Sequence, residues 1–138
     1  MATSAAERPL AAVTGASSGI GASTVRKLRE AGVKVVGGAR RVERIEADVA
    51  LYVDVTDEES SAAFVRQAVE ELGGGVDILF NNAGLALGRY PFTESSPEDE
   101  ATVLHTNVDG VLRITRLCLP SIRDGGHTLR GGGLRYHV

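Results

Sequence analysis

The sequence predicts an α/β fold built on a doubly wound parallel sheet. Short apolar stretches alternate with longer stretches of helical spacing, and a glycine-rich turn, residues 14–21, joins the first strand to the first helix. Strands that alternate with helices form parallel sheets with right-handed crossovers. We expect about four strands with flanking helices, which is an incomplete sheet of this class.

Four stretches have the composition of strands covered by helices. They are Leu10–Thr14, Val33–Gly37, Val49–Val53 and Val76–Phe80. The first helix follows the glycine-rich turn and ends at Gly32, a residue type that favours helix C-termini. The fourth stretch is almost wholly apolar, which is typical of a strand buried on both faces.

Two further helices carry recognisable start signals. Thr56 is predicted as the N-cap of the second, because Glu59 completes a capping box. The third begins with Ser96 as N-cap and Pro97 as its first residue, and its helical spacing continues until Pro120. We predict one long helix between these points.

Length and composition indicate one globular domain followed by a tail. Residues 1–127 form the domain, and residues 128–138 are predicted to be irregular and disordered, because five of the 17 glycines fall between Gly125 and Val138. The net charge of −3 arises from charges spread along the chain, which disfavours nucleic acid and anionic membranes as partners. No signal peptide is apparent, and we expect a cytoplasmic protein.

Cysteine and histidine suggest no further chemistry. Cys118 is predicted to be a buried thiol rather than a nucleophile. The three histidines, His105, His127 and His137, lack the helical spacing of metal ligands, so we assign no metal.

The glycine-rich turn indicates a phosphate site. Gly15 allows the bend after the strand, Gly19 allows close approach of a pyrophosphate, and Gly21 allows the helix to pack on the sheet. A helix N-terminus adds free N–H groups and partial positive charge. The spacing is Gly-x-x-x-Gly-x-Gly rather than the usual Gly-x-Gly-x-x-Gly, so an ordinary structural turn is the alternative.

Three more signals follow in order along the chain. They are Asp54 after the third strand, Asn81-Asn82-Ala83-Gly84 after the fourth, and Asn107 in the long helix. With the turn, they resemble the short-chain dehydrogenase/reductase family over residues 9 to about 127. The resemblance implies a Rossmann-type fold and an NAD(P)-dependent oxidoreductase that interconverts a carbonyl and an alcohol by hydride transfer.

The resemblance also implies which residues bind the cofactor. They are Thr14, Gly15, Ser17, Ser18, Gly19, Ile20, Gly21, Arg40, Arg41, Asp54, Val55, Asn81, Ala83 and Gly84. Asp54 accepts from the adenine amino group while the Val55 N–H meets the ring; the alternative is an acid that caps a turn. The residues 81–84 line the ribose and nicotinamide, or their asparagines tie neighbouring strands together.

Arginines after the second strand bear on the choice of cofactor. Proteins that select the phosphate-free form usually place an acid there, whereas this chain has Arg40 and Arg41. Guanidinium groups match a phosphate, so the resemblance implies NADP(H) in preference to NAD(H). Solvated loop charges are the alternative.

Asn107 places an amide on the apolar side of the long helix. The resemblance implies an asparagine that holds a water in the proton relay of the active site. An interhelical hydrogen bond is the alternative, because a buried amide needs partners. Leu85–Arg89 is expected to begin the substrate side.

The rest of the family's catalytic set cannot be assigned. The resemblance implies a serine on a fifth strand and a tyrosine four residues before a lysine, but Tyr136 has no such lysine, and Lys27 and Lys34 lie in the nucleotide half. We hypothesise a frameshift near His127 that truncates the family sequence after the fourth strand and the following helix. The chain is then an NADP(H)-dependent oxidoreductase by lineage but inactive in isolation, or a non-catalytic nucleotide-binding fragment or partner subunit.

Truncation has consequences for association. Without a fifth strand, Val76–Phe80 is expected to be an exposed apolar edge, and such edges pair with other chains. In the family, the long helix contributes to a dimer interface. We therefore expect self-association through this helix and the sheet edge, besides a small carbonyl or alcohol substrate if the chain is active.

Overall fold

In the residues that the structure describes, the sheet has six strands, two more than predicted. The computed structural model describes residues 8–84, 92–130 and 135–137. The strands are β1 (Leu10–Thr14), β2 (Lys34–Ala39), β3 (Val49–Tyr52), β4 (Val76–Asn81), β5 (Ile122–Arg130) and β6 (Arg135–His137). They pair in the order β3-β2-β1-β4-β5-β6, with β6 antiparallel and the others parallel. The predicted doubly wound α/β class is confirmed, and the strand order reverses between β1 and β4.

Helices cover both faces of the sheet. They are α1 (Gly19–Glu30), α2 (Glu58–Glu71), α3 (Pro97–Leu104) and α4 (Gly110–Cys118). On one face, Val25 of α1 packs in a cluster with Ala11 and Val13 of β1. On the other, Phe64 of α2 and Ile114 of α4 pack in a cluster that includes alternate β1 residues. The period of two in a strand thus divides the core into two layers.

The start of α2 differs from the prediction by one residue. Asp57, not Thr56, is the N-cap, and its carboxylate accepts from the backbone N–H of Glu59 at 2.9 Å. The Thr56 hydroxyl instead donates to Asp54 at 2.6 Å. A carboxylate also complements the positive end of the helix dipole, which a threonine hydroxyl does not. The predicted cap at Ser96 is confirmed, since its hydroxyl accepts from Asp99 N.

The predicted single helix from Pro97 to Pro120 is interrupted. A π-helical segment, His105–Asp109, separates α3 from α4, and a 3₁₀ turn follows Cys118. One extra residue in a helical turn rotates the following face, a feature that sequence spacing does not reveal. Cys118 is buried as predicted, and this burial raises the pKa of its thiol to about 11.

The prediction of an exposed β4 edge is wrong, and residues 128–130 and 135–137 of the tail that we expected to be irregular lie in strands. β5 extends through Arg130 and pairs with β4, with Phe80 opposite Leu129. β6 then pairs with β5. Main-chain N–H and C=O groups of a strand edge need partners whatever the side chains are, so pairing overrides the glycine-rich composition. Residues 131–134 and 138 lie outside the described residues.

Candidate functional site

A crevice of about 660 Å³ opens beside the carboxyl ends of β1 to β4. This is the position at which open parallel sheets bind ligands. The lining residues come from the turn after β1, from the segments after β2, β3 and β4, and from the α3 region. They are Gly15, Ser17, Ser18, Ile20, Ala39, Arg40, Arg41, Val53, Asp54, Val55, Thr56, Asn82, Ala83, Gly84, Thr102 and Thr106.

The turn after β1 depends on backbone packed against backbone. Gly15 has a φ of +64°, and a Cβ there would lie 2.9 Å from Ala83 N. At Gly21 a Cβ would lie 2.0 Å from the Gly15 carbonyl oxygen. No side chain fits either position, so both glycines are required to bring α1 and the end of β4 against the turn.

The N-terminus of α1 is suited to an anion. The helix begins at Gly19 after the extended residue Ser18, and its first turn carries no acidic residue. Ser17 and Ser18 line the crevice beside it. Free N–H groups, the helix dipole and two hydroxyls therefore meet at one point, which fits a pyrophosphate.

Thr14 and Asn82 fasten the turn to the end of β4. The Thr14 hydroxyl is buried and accepts from the backbone N–H of Asn82 and of Ala83, each at 3.1 Å. The Asn82 amide in turn donates to the Gly15 carbonyl at 3.2 Å. Thr14 therefore supports the crevice from behind rather than lining it.

The two neighbouring asparagines point to different places. Asn81, which we predicted as a cofactor contact, is buried, and its amide donates to Thr115 of α4 at 3.0 Å. Asn82, which lies in the segment 81–84 that we predicted to line the ribose and nicotinamide, lines the crevice. Since successive side chains of a strand face opposite sides, the alternation along β4 could have distinguished the two.

A pair of arginines and a single carboxylate dominate the charge of the crevice. Arg40 and Arg41 are exposed at the end of β2. Among the described lining residues, Asp54 is the single acid. The side-chain bond from Thr56 is the main reason that the pKa of Asp54 lies below its usual range; burial opposes it, and Arg40 also contributes. Asp54 is therefore a charged acceptor at neutral pH.

The segment after β3 is itself an ordered turn. The Thr56 N–H and hydroxyl donate to Asp54 Oδ1 at 3.0 and 2.6 Å, and Asp54 N donates to the Ser60 hydroxyl at 2.9 Å. The turn-capping alternative for Asp54 is thus present. It does not exclude a ligand contact, because Asp54 and Val55 both line the crevice.

Five predicted site residues lie outside the lining set of the described chain. They are Thr14, Gly19, Gly21, Asn81 and Asn107. Asn107 lies in the π-helical segment, and its amide oxygen would be 3.1 Å from a Cβ at Gly84. It therefore flanks the crevice edge. Leu85–Arg89, the predicted start of the substrate side, lies outside the described residues.

Several lining residues were not predicted. They are Ala39, Val53, Thr56, Thr102 and Thr106. Ala39, Val53 and Thr56 adjoin predicted residues, so the strand-end rule could have included them. Thr102 and Thr106 reach the crevice only because α3 folds over it, which no local pattern indicates.

Residues 8–84, 92–130 and 135–137 offer neither a metal-binding cluster nor a membrane-spanning helix. Within them, no cluster of three or more His, Cys, Asp or Glu side chains could hold a metal ion. None of their helices has the length and apolar character needed to span a bilayer. The cytoplasmic location stays a prediction.

The chain is similar in sequence to known dehydrogenases. Residues 9–129 match the family model of the short chain dehydrogenases. The chain is 40% identical over 121 residues to serine 3-dehydrogenase of Agrobacterium fabrum, covering 80% of this chain and 47% of that protein. It is 37% identical over 130 residues to the NADP-dependent 3-hydroxy acid dehydrogenase YdfG of Escherichia coli, covering 87% and 52%.

A solved structure shares the fold. A short chain dehydrogenase from Burkholderia cenocepacia in complex with NADP matches with a TM-score of 0.80 and 26% identity, over 88% of this chain and 54% of that one. The chain spans about half the length of the curated relatives it matches.

Proposed function

Because this chain belongs to the short chain dehydrogenase family, we propose that it binds NADP(H) in the crevice at the carboxyl ends of β1 to β4. One observation carries the proposal: a helix N-terminus, two arginines and one ordered carboxylate converge on the same 660 Å³ crevice. That volume lies within the range of small-molecule sites. The NADP named for YdfG and for the Burkholderia structure supports the choice of cofactor.

Each part of the crevice has a proposed role. The α1 N-terminus with Ser17 and Ser18 holds the pyrophosphate, and Arg40 and Arg41 hold the 2′-phosphate. Asp54 accepts from the adenine amino group. The backbone of residues 83–84 adjoins the nicotinamide ribose, and Thr14, Gly19, Gly21 and Asn81 support this arrangement. When bound, NADP(H) supplies or accepts a hydride.

The oxidoreductase activity itself is proposed in a restricted form. The family places this chain among oxidoreductases, and we propose the carbonyl–alcohol class. The 138 residues include two lysines, Lys27 and Lys34, and neither follows a tyrosine by four positions. We therefore propose that these residues bind cofactor without turnover, with Asn107 flanking the crevice as a proton-relay position. A non-catalytic nucleotide-binding partner subunit is the alternative function.

Cofactor titration tests the binding proposal. We expect purified chain to quench or shift NADPH fluorescence, with NADPH bound about tenfold or more tightly than NADH, as loss of charge-assisted bonds to a phosphate implies. Arg40→Ala with Arg41→Ala should remove this preference. Arg44→Ala, at an exposed position outside the crevice lining, is the matched control. Absence of binding to either cofactor would overturn the proposal.

An activity assay separates the two functional alternatives. The chain is mixed with NADPH and a panel of small aldehydes and ketones, and the absorbance of NADPH is followed. We expect binding without oxidation. Robust oxidation by the purified 138-residue chain would overturn the proposal that these residues lack turnover.

Self-association remains a second proposal, now resting on the helix alone. Leu104, Val108 and Leu112 are 57%, 41% and 55% exposed along α3, the π-helical segment and α4. Large exposed apolar stripes mark partner surfaces. We expect sedimentation velocity to show dimers that Leu112→Glu converts to monomers; a monomer at all concentrations would contradict this.

A further inference from the structure

The peptide unit between Val55 and Thr56 is held at both ends. Its carbonyl accepts from the Arg113 guanidinium at 2.6 Å, and its N–H donates to Asp54 Oδ1 at 3.0 Å. A peptide unit is planar, so a rotation that breaks one bond also misdirects the other. The orientation of the Asp54 carboxylate, in the turn after β3, is therefore coupled to a guanidinium on α4.

Close packing fixes where this guanidinium lies. Gly110 is three residues before Arg113 on α4, so the two share a helix face. A Cβ at Gly110 would lie 2.8 Å from Val55 Cγ2 and 3.4 Å from its carbonyl oxygen. Val55 is 6% exposed. The helix is thus seated directly on this segment, and Arg113 reaches the carbonyl over a short, partly buried path.

Arg113 lies outside the crevice lining, within the described part of the chain, whereas Asp54, Val55 and Thr56 belong to it. A charged donor makes a stronger hydrogen bond to a carbonyl than a neutral donor does. The same carboxylate is held by Thr56 through its hydroxyl as well as its N–H. The peptide unit therefore provides a bonded route from Arg113 to the Asp54 carboxylate in the crevice lining.

We propose that Arg113 is a positioning residue for the adenine end of the crevice, acting through the Val55–Thr56 peptide unit on the Asp54 carboxylate. This inference rests on the proposed binding of NADP(H). It assigns to α4 a part in adenine affinity although Arg113 does not line the crevice.

The test compares ligands that carry opposite halves of the cofactor. Adenosine 2′,5′-bisphosphate and reduced nicotinamide mononucleotide are titrated into wild type, Arg113→Met and Arg113→Lys, and Arg116→Met, an exposed position on the same helix, is the control. We expect Arg113→Met to bind the adenine ligand about tenfold more weakly and the nicotinamide ligand unchanged. Arg113→Lys, which keeps a charged donor, should restore most of the affinity.

Each outcome bears on the proposal. Equal weakening of both ligands, or a loss in Arg113→Lys as large as in Arg113→Met, would indicate a merely structural role and overturn it. Unchanged adenine affinity in Arg113→Met, with wild type binding NADPH, would overturn this inference alone. Failure of wild type to bind NADPH would overturn the proposed function first.

A measurement on wild type keeps the test valid if Arg113→Met does not fold. With ¹⁵N-labelled arginine, adenosine 2′,5′-bisphosphate should shift the Nε–Hε resonance of Arg113, and reduced nicotinamide mononucleotide should leave it in place. The Arg116 resonance is the internal control. An Arg113 resonance indifferent to the adenine ligand would overturn the proposal.

Discussion

An interior strand of the sheet and one of its edges are held by different kinds of interaction. In the glycine-turn region, β1 with α1, all five strand residues are buried, and backbone contacts leave no room for a Cβ at Gly21. In the β5–β6 edge, exposed residues of β5 alternate irregularly with buried ones, and the register of β5 with β4 shifts between Val76 and Ile78. The first region is specified by close packing of buried side chains and backbone, whereas the second depends mainly on main-chain pairing.

One carboxylate connects the two regions. Asp77 of β4 accepts from the backbone N–H of Leu10 in β1 at 2.8 Å and from Arg123 Nε in β5 at 2.8 Å. The Nη2 atom of Arg123 also contacts the Asp77 carboxylate. The shifted register near Val76 thus has a polar anchor, so the β5–β6 edge does not depend on pairing alone.

Matched glycine substitutions test the comparison most strongly. We expect Gly21→Ala to destabilise the fold by more than about 4 kcal/mol, because its Cβ would meet the Gly15 carbonyl at 2.0 Å and two backbones must separate. Gly125→Ala has open space, and its φ of +81° implies a cost of about 1–2 kcal/mol. Urea unfolding of both variants measures the difference.

Equal destabilisation by the two substitutions would break the comparison. It would mean that the β5–β6 edge is as tightly specified as the glycine-turn region. Gly73→Ala, which also has a positive φ and open space but lies at the end of α2, gives the cost of the backbone conformation alone.

The same difference decides what could be predicted from the sequence. The glycine turn, its neighbouring strands and Asp54 follow local rules of period and turn chemistry, so their positions were predicted. β5 contains Asp124 and two glycines and has no strand alternation. It forms because β4 offers an edge at the right place, which is a tertiary property.

The candidate site divides in the same way. Arg40 and Asp54 lie at strand ends, and the rule for open α/β sheets places them in the crevice. Thr102 and Thr106 line the crevice from a helical region that a π-helical segment interrupts. The spacing of apolar residues in the sequence does not indicate this interruption. Of the two asparagines predicted at the site, Asn82 lines the crevice and Asn81 bonds to Thr115 instead, because successive side chains face opposite sides.

Thr14→Val sharpens the comparison within the glycine-turn region. The substitution keeps the volume but removes the hydroxyl that accepts from Ala83 N, so a backbone donor loses its partner. We expect a loss of about 2 kcal/mol in the free energy of unfolding. NADPH affinity should also fall, because the turn is no longer tied to the end of β4. Both quantities are measured by urea unfolding and fluorescence titration.

The conservative variant Thr14→Ser is the control for that prediction. It keeps the hydroxyl and removes only a methyl group, so most of the stability and affinity should remain. Equal losses in Thr14→Val and Thr14→Ser would show that packing of the methyl group, rather than the hydrogen bond, holds the turn.

The smallest expected change in stability concerns the contact between Arg123 and Asp77, which anchors the β5–β6 edge. The side-chain bond from Arg123 holds the pKa of Asp77 below its usual range; burial opposes this, and the Leu10 N–H supports it. A depressed folded-state pKa gives stability that is complete above the unfolded-state value of about 3.9 and is lost as the pH falls through the folded-state value. Arg123→Met should therefore unfold at slightly lower urea at pH 7.

Acidification distinguishes this anchor from ordinary surface charge. Below pH 4 the wild type should lose the contribution of Asp77 progressively, whereas Arg123→Met has little of it to lose, so their urea midpoints should converge. Asp54 also has a lowered pKa, but it titrates in both proteins and cancels in the comparison. Arg26→Met, on exposed α1 surface, should follow the wild type throughout. A difference between wild type and Arg123→Met that persists unchanged at low pH would mean that Arg123 stabilises the edge by contacts other than its bond to the Asp77 carboxylate.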